Sequence, residues 1–172
     1  MMVRFSERTA MVIKNAYDIS GRNNVEYIGT EHLLFGIFSE GENLSFELLT
    51  SQGITKDALE NALGQVTGKS LGETSEIQMP GDINQIISMF TPRTKRVVEI
   101  AVLAAKNAAS EIVEPEHLLT AIIREGENVG VNILRAMGAD IKFLYSELMK
   151  QLNFTGQGND TGENGKEDLE EI

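Results

Sequence analysis

Shifted by 85 positions, the chain lies on itself without a gap. Phe5 falls on Phe90, Arg8 on Arg93, Thr9 on Thr94, Val12 on Val97 and Ala16 on Ala101. Glu31-His32-Leu33-Leu34 falls on Glu116-His117-Leu118-Leu119, and Glu40-Gly41-Glu42-Asn43 on Glu125-Gly126-Glu127-Asn128. Further along, Leu49, Gly53, Leu59 and Leu63 meet Leu134, Gly138, Leu144 and Leu148. Positions 5 to 63 give 19 identities over 59 positions, against roughly one in fifteen to twenty for unrelated segments of ordinary composition. One small unit has been used twice, so any fold must contain two equivalent halves.

Each half reads as four helices. Ser6 and Thr91 stand at N-cap positions, where a side-chain oxygen accepts a free backbone N–H of the first turn. Pro92 follows Thr91 at the first helical position, which needs no N–H. Apolar residues then recur at helical spacing: Ala10, Ile13, Ala16 and Tyr17, and Val97, Val98, Ala101, Ala104 and Ala105. A second helix starts near Thr30 or Pro115 and stops at Gly41 or Gly126, which suit a left-handed C-terminal position. Asn43 and Asn128 cap a third helix that ends before Gly53 or Gly138. A fourth spans about 55–65 and 140–152. No stretch alternates apolar and polar residues strongly enough to predict a sheet.

The expected fold class is therefore all-α: two tandem four-helix repeats, about eight helices, related by a pseudo-twofold axis. Such short helices are marginal alone, so the repeats must share one core. The expected domain is 3–152, with repeat 1 over 5–66, a connector over 67–89 carrying a short helix near 83–89, and repeat 2 over 90–152. Residues 153–172 read as a flexible acidic, Gly-rich linker with too few apolar residues to order itself.

Composition narrows the function classes. Net charge is −11; an acidic chain repels nucleic acid and anionic lipid, so neither nucleic acid nor membrane is expected as a partner. No apolar run is long enough to span a bilayer, and no secretory signal precedes the first helix. Cysteine is absent, which removes disulfides and thiolate metal sites and fits a cytoplasmic location.

Three marks recur in both repeats: F-[ST]-x-R near the start (Phe5–Arg8, Phe90–Arg93 with Pro92 inside), E-H-L-L (Glu31–Leu34, Glu116–Leu119) and the turn E-G-E-N. With these the chain resembles the Clp repeat N-terminal domain of Clp-family AAA+ unfoldases, the ClpC type most closely, over about 3–151. The connector is longer than the resemblance leads one to expect. Repeat 2 carries Glu114-Pro115-Glu116 where repeat 1 keeps the family's Gly29-Thr30-Glu31.

The resemblance implies a non-enzymatic substrate and adaptor recognition domain in protein quality control. The parent chain would be an ATP-dependent ring serving a ClpP-type peptidase. No cofactor belongs to this chain; ATP would serve the parent's other modules. Partners would be adaptor proteins and tagged substrates, with phosphorylated arginine as the tag. Such a ligand needs a carboxylate for its guanidinium and N–H donors for its phosphate. By resemblance, Glu31 and Glu116 hold the guanidinium, and the helix starts at Ser6 and Thr91, with Arg8 and Arg93 two residues on, hold the phosphate. Each carboxylate is expected beside the helix start of its own half. The alternative function is a stand-alone helical adaptor or scaffold that regulates a Clp machine.

Other motifs weigh little. Gly64–Ser70 imitates a phosphate-binding loop but has three residues between its glycines instead of four and follows a helix. His32 and His117 each follow a glutamate, and adjacent residues diverge by about 100° on a helix, so packed, hydrogen-bonded helix starts are expected rather than metal or acid–base sites. No catalytic or metal-ligating residue is assigned.

Overall fold

The computed structural model describes residues 4–73 and 79–155. Residue 3, residues 74–78 of the expected connector and residues 156–172 of the expected linker lie outside these. Repeat 1 contains helices α1 (Glu7–Arg22), α2 (Thr30–Glu40), α3 (Leu44–Ser51) and α4 (Lys56–Thr67). A short helix, α5 (Ile83–Ile87), follows. Repeat 2 contains α6 (Pro92–Asn107), α7 (Pro115–Glu125), α8 (Val129–Ala136) and α9 (Ile141–Thr155). The first three helices of each repeat begin and end 85 positions apart, so the sequence offset is also the structural one.

The boundaries have local causes. Ser6 and Thr91 accept the N–H of Thr9 and Thr94, and Asn43 and Asn128 accept those of Phe46 and Val131. Gly41 and Gly126 end α2 and α7 at φ 77°, a left-handed conformation that a side chain disfavours. Gly64–Ser70 is the last turn of α4, its left-handed cap at Gly68 and the residues after it, not a strand-to-helix loop.

The core is continuous across the two repeats. Ile13, Leu33, Leu34, Ile37 and Leu63 from one half and Val97, Leu118, Leu119, Leu134 and Leu148 from the other belong to one buried cluster. Ile86 of α5 is fully buried in it. Within each half the first two helices run antiparallel. A methyl at Gly36 of α2 would collide with the Val12 carbonyl oxygen and lie 3.2 Å from the Ala16 nitrogen of α1. The equivalent residue in α7 is Ala121, so the helices of repeat 1 approach more closely.

Two short strands, absent from the sequence expectation, join the halves. β1 (Arg4–Phe5) pairs in parallel with β2 (Ile112–Val113), and an isolated parallel bridge links Ile28 to Phe90. These contacts are equivalent under the 85-residue shift: Phe5 maps to Phe90 and Ile28 to Val113. Each repeat thus lays its first residues on the segment preceding the second helix of the other. Hydrogen bonds continue the exchange. Ser6 N–H donates to the Val113 carbonyl at 3.1 Å, and Thr91 N–H to the Ile28 carbonyl at 3.1 Å.

Candidate functional site

The strand exchange decides which expected site residues meet. In each half the first two helices are antiparallel, so the start of the first lies by the end of the second. Arg93 at the start of α6 accordingly pairs with Glu125 at the end of α7, at 2.7 Å. At the other end of the α1–α2 pair, His32 Nε2 lies 3.0 Å from Asn23 Oδ1. The expectation that Glu31 sits beside Ser6, and Glu116 beside Thr91, is therefore wrong. The combination is crossed: the segment leading to Glu31 is bonded to the start of α6 at Thr91, and the segment leading to Glu116 to the start of α1 at Ser6. The error lay in assigning each carboxylate to its own repeat.

The two crossed junctions differ at the carboxylate. Glu31 is 4% exposed, and its side chain folds back over Gly29. A methyl on Gly29 would lie 2.6 Å from Glu31 Cδ and nearer still to Oε1. Apart from its own backbone N–H, no described residue bonds to this carboxylate, and no cation pairs with it. Burial raises its pKa, while that N–H bond draws it back down. In repeat 2 the residue equivalent to Gly29 is Glu114, whose side chain denies Glu116 the same conformation. Glu116 turns instead to the start of α3, where Oε2 accepts the N–H groups of Leu44 at 3.0 Å and Ser45 at 3.4 Å. Burial raises its pKa and the Ser45 amide opposes the rise; the neighbouring Glu114 charge adds to it. Glu116 is thus a cap for a helix of the other repeat. In repeat 1 that role falls to Thr30, whose hydroxyl accepts the Gly130 N–H at the start of α8 at 2.9 Å.

The helix starts differ as well. Arg8 is exposed, and no described residue bonds to its guanidinium. Arg93 is held by Glu125, with Glu127 at 4.0 Å. At α6, Pro92 lacks an N–H, and the Thr94 and Lys95 N–H groups go to Thr91. The Arg93 N–H is what this helix start retains for an anion, since the Arg93 side chain is already paired with Glu125. The unbonded carboxylate and the unbonded arginine therefore lie at different junctions.

The histidines act as helix-start supports. Nδ1 of His32 accepts the Gly29 N–H at 3.0 Å, and Nδ1 of His117 the Glu114 N–H at 2.8 Å, the return half of a capping box, with histidine in the third helical position and no side-chain bond from the N-cap residue. Burial pulls His32 down to about 4 and lowers His117. Both are neutral at pH 7, so their Nε2 atoms carry the proton. Among the described residues no three His, Cys, Asp or Glu side chains gather into a metal-like cluster, and no helix is long and apolar enough to cross a membrane.

Sequence reasoning missed Tyr27. The residue is 39% exposed and its ring centroid lies 5.8 Å from that of His32. Burial and the nearby Glu31 charge both raise the phenol's pKa. The available signal was a difference between copies: position 27 holds Tyr and position 112 holds Ile.

A duplicated helical domain with interlocked halves and two unequal junctions between them is the class that this geometry defines. The chain belongs to the Clp repeat (R) N-terminal domain family, which matches residues 4–88 and again 89–166. A relative from Cyanidium caldarium, an "ATP-dependent Clp protease ATP-binding subunit ClpA homolog", is 31% identical over 157 residues, covering 91% of this chain and 17% of the relative. Rice "Chaperone protein ClpC2, chloroplastic" (Oryza sativa subsp. japonica) is 28% identical over 165 residues, covering 96% of this chain and 17% of that protein. This chain thus spans about one sixth of the length of these relatives. The fold is also that of the N-terminal domain of ClpD from Arabidopsis thaliana, with a TM-score of 0.67 at 22% identity, covering 87% of this chain and 94% of that one.

Proposed function

We propose that the chain recognises substrates or adaptors for an ATP-dependent Clp unfoldase, and that its cleft at Glu31 receives phosphorylated arginine. The observation that carries this reading is the Glu31 carboxylate, buried, without a cationic partner, on a segment hydrogen-bonded to the start of α6. A buried carboxylate is costly unless paired. A guanidinium would pair it through charge-assisted hydrogen bonds, while the Arg93 N–H and the positive end of α6 would face the phosphoryl group. The parent ring, its ATP and a ClpP-type peptidase belong to the same proposal, as does a cytoplasmic setting. The cleft at Glu116 does not bind, because its carboxylate is committed to α3 and Glu114 adds a second negative charge.

Calorimetric titration with free phosphoarginine tests this. One site per chain is expected, lost in Glu31→Ala and kept in Glu116→Ala. Absence of binding to the unaltered chain, or undiminished binding in Glu31→Ala, would refute the assignment.

A further inference from the structure

The segment entering α2 is extended: Gly29 has φ −91° and ψ 175°. Ile28, between Tyr27 and Gly29, is fully buried. Gly29 has no Cβ, and the Glu31 carboxylate occupies the space that a Cβ would take. The tyrosine ring lies 5.8 Å from the ring of His32, the residue next to Glu31, close enough for the Glu31 charge to act on its phenol, and it is partly open to solvent. At the equivalent place in repeat 2 stand Ile112 and Glu114: no ring, and a side chain where the carboxylate would lie.

We infer that Tyr27 is a binding residue of the Glu31 cleft, giving the guanidinium plane of the ligand an aromatic face and so favouring arginine-derived groups over lysine-derived ones. A guanidinium is planar, weakly hydrated and stacks on aromatic rings while its edge donates to a carboxylate. An ammonium on a flexible stem can satisfy the carboxylate but gains less from the ring. Two substitutions between the repeats (Tyr27 against Ile112 and Gly29 against Glu114), together with the different turn of Glu31 and Glu116, then share one cause: repeat 1 keeps a guanidinium site and repeat 2 does not.

This inference rests on the proposed phosphoarginine site, and the test separates the two. Calorimetry with phosphoarginine compares the unaltered chain with Tyr27→Phe, Tyr27→Leu, Tyr27→Gln and Glu31→Ala. A ring is what matters, so Tyr27→Phe stays within about twofold, while Tyr27→Leu and Tyr27→Gln weaken binding by about three- to thirtyfold, the range of cation–π contacts. The same two variants narrow the preference for phosphoarginine over phospholysine. Because Tyr27 is half-open to solvent, two chemically different replacements guard against a folding artefact. If Tyr27→Leu and Tyr27→Gln bind as the unaltered chain does while Glu31→Ala does not bind, the role of Tyr27 is overturned and the cleft stands. If the unaltered chain does not bind phosphoarginine, both fall.

Discussion

The Thr9 hydroxyl donates to the Val113 carbonyl at 2.7 Å, fully buried, across 104 positions of chain. Its counterpart, Thr94, donates to the Ile28 carbonyl at 3.0 Å. Each threonine sits one turn into the first helix of its repeat and ties that helix to the strand of the other. Valine keeps the shape of threonine and removes the hydroxyl. Thr9→Val or Thr94→Val leaves a buried carbonyl with one partner fewer and is expected to cost about 1–3 kcal/mol. Urea unfolding of the two single variants checks this. The exchange should also make both halves unfold as one unit, giving a single transition in each variant.

The close approach at Gly36 predicts an asymmetry between equivalent positions. Alanine would gain about 1 kcal/mol of helix propensity, but its methyl meets the Val12 carbonyl, and overpacking of this kind costs about 1–3 kcal/mol. Gly36→Ala is expected to destabilise on balance. At the matching site the residue is already alanine, fully buried, and Ala121→Gly should lose about 1 kcal/mol from propensity and backbone entropy. Thermal unfolding of both variants would show two losses of different origin.

Gly29 controls where the neighbouring carboxylate goes. In Gly29→Ala the new methyl expels the Glu31 side chain from its buried position. The Glu31 pKa, raised by burial, should then fall back toward the ordinary carboxylate range, and phosphoarginine affinity should drop at least tenfold. Carboxyl chemical shifts followed through a pH titration give the first quantity and calorimetry the second.

His32 makes stability depend on pH. Its folded pKa of about 4 lies below the unfolded value near 6.5, so the unfolded chain binds a proton first as pH falls. The stabilisation is complete above pH 6.5 and is lost progressively down to pH 4, by about 3 kcal/mol for this group. Glu31 and Glu116 have raised values and act in the opposite sense, taking up protons in the folded state first. The observed slope is a difference between these effects. Comparing the unaltered chain with His32→Gln between pH 4 and 7 isolates the histidine: the variant should lose less stability on acidification.

Most of the helical framework was legible because each helix carries its own start and stop. Ser6, Asn43 and Gly41 act within a turn of where they stand, and their copies at 91, 128 and 126 confirm the reading. The pairing of Phe5 with Val113 was not legible, for two reasons. Two-residue strands are too short to show a period of two. A duplicated sequence is also ambiguous about partners, because Ile28 and Val113 are equivalent positions, and either offers Phe5 the same kind of edge. Only three-dimensional reach decides between them, and that follows from the antiparallel run of α1 and α2. The commitment of Glu116 to α3 was hidden for a related reason. It depends on what Glu114 excludes, and identity of the E-H-L-L motif conceals that difference.

The reciprocal lending of N-terminal strands has a further consequence. A lone unit would expose a two-residue edge and a threonine hydroxyl with nothing to receive them, and could satisfy both only on another molecule, in a twofold dimer. Covalent tandem joining replaces that encounter with a tethered one at high effective concentration, so the assembled state no longer depends on dilution. It also releases the halves from strict symmetry. One became free to keep a carboxylate with no cationic partner while the other turned its own into an internal brace.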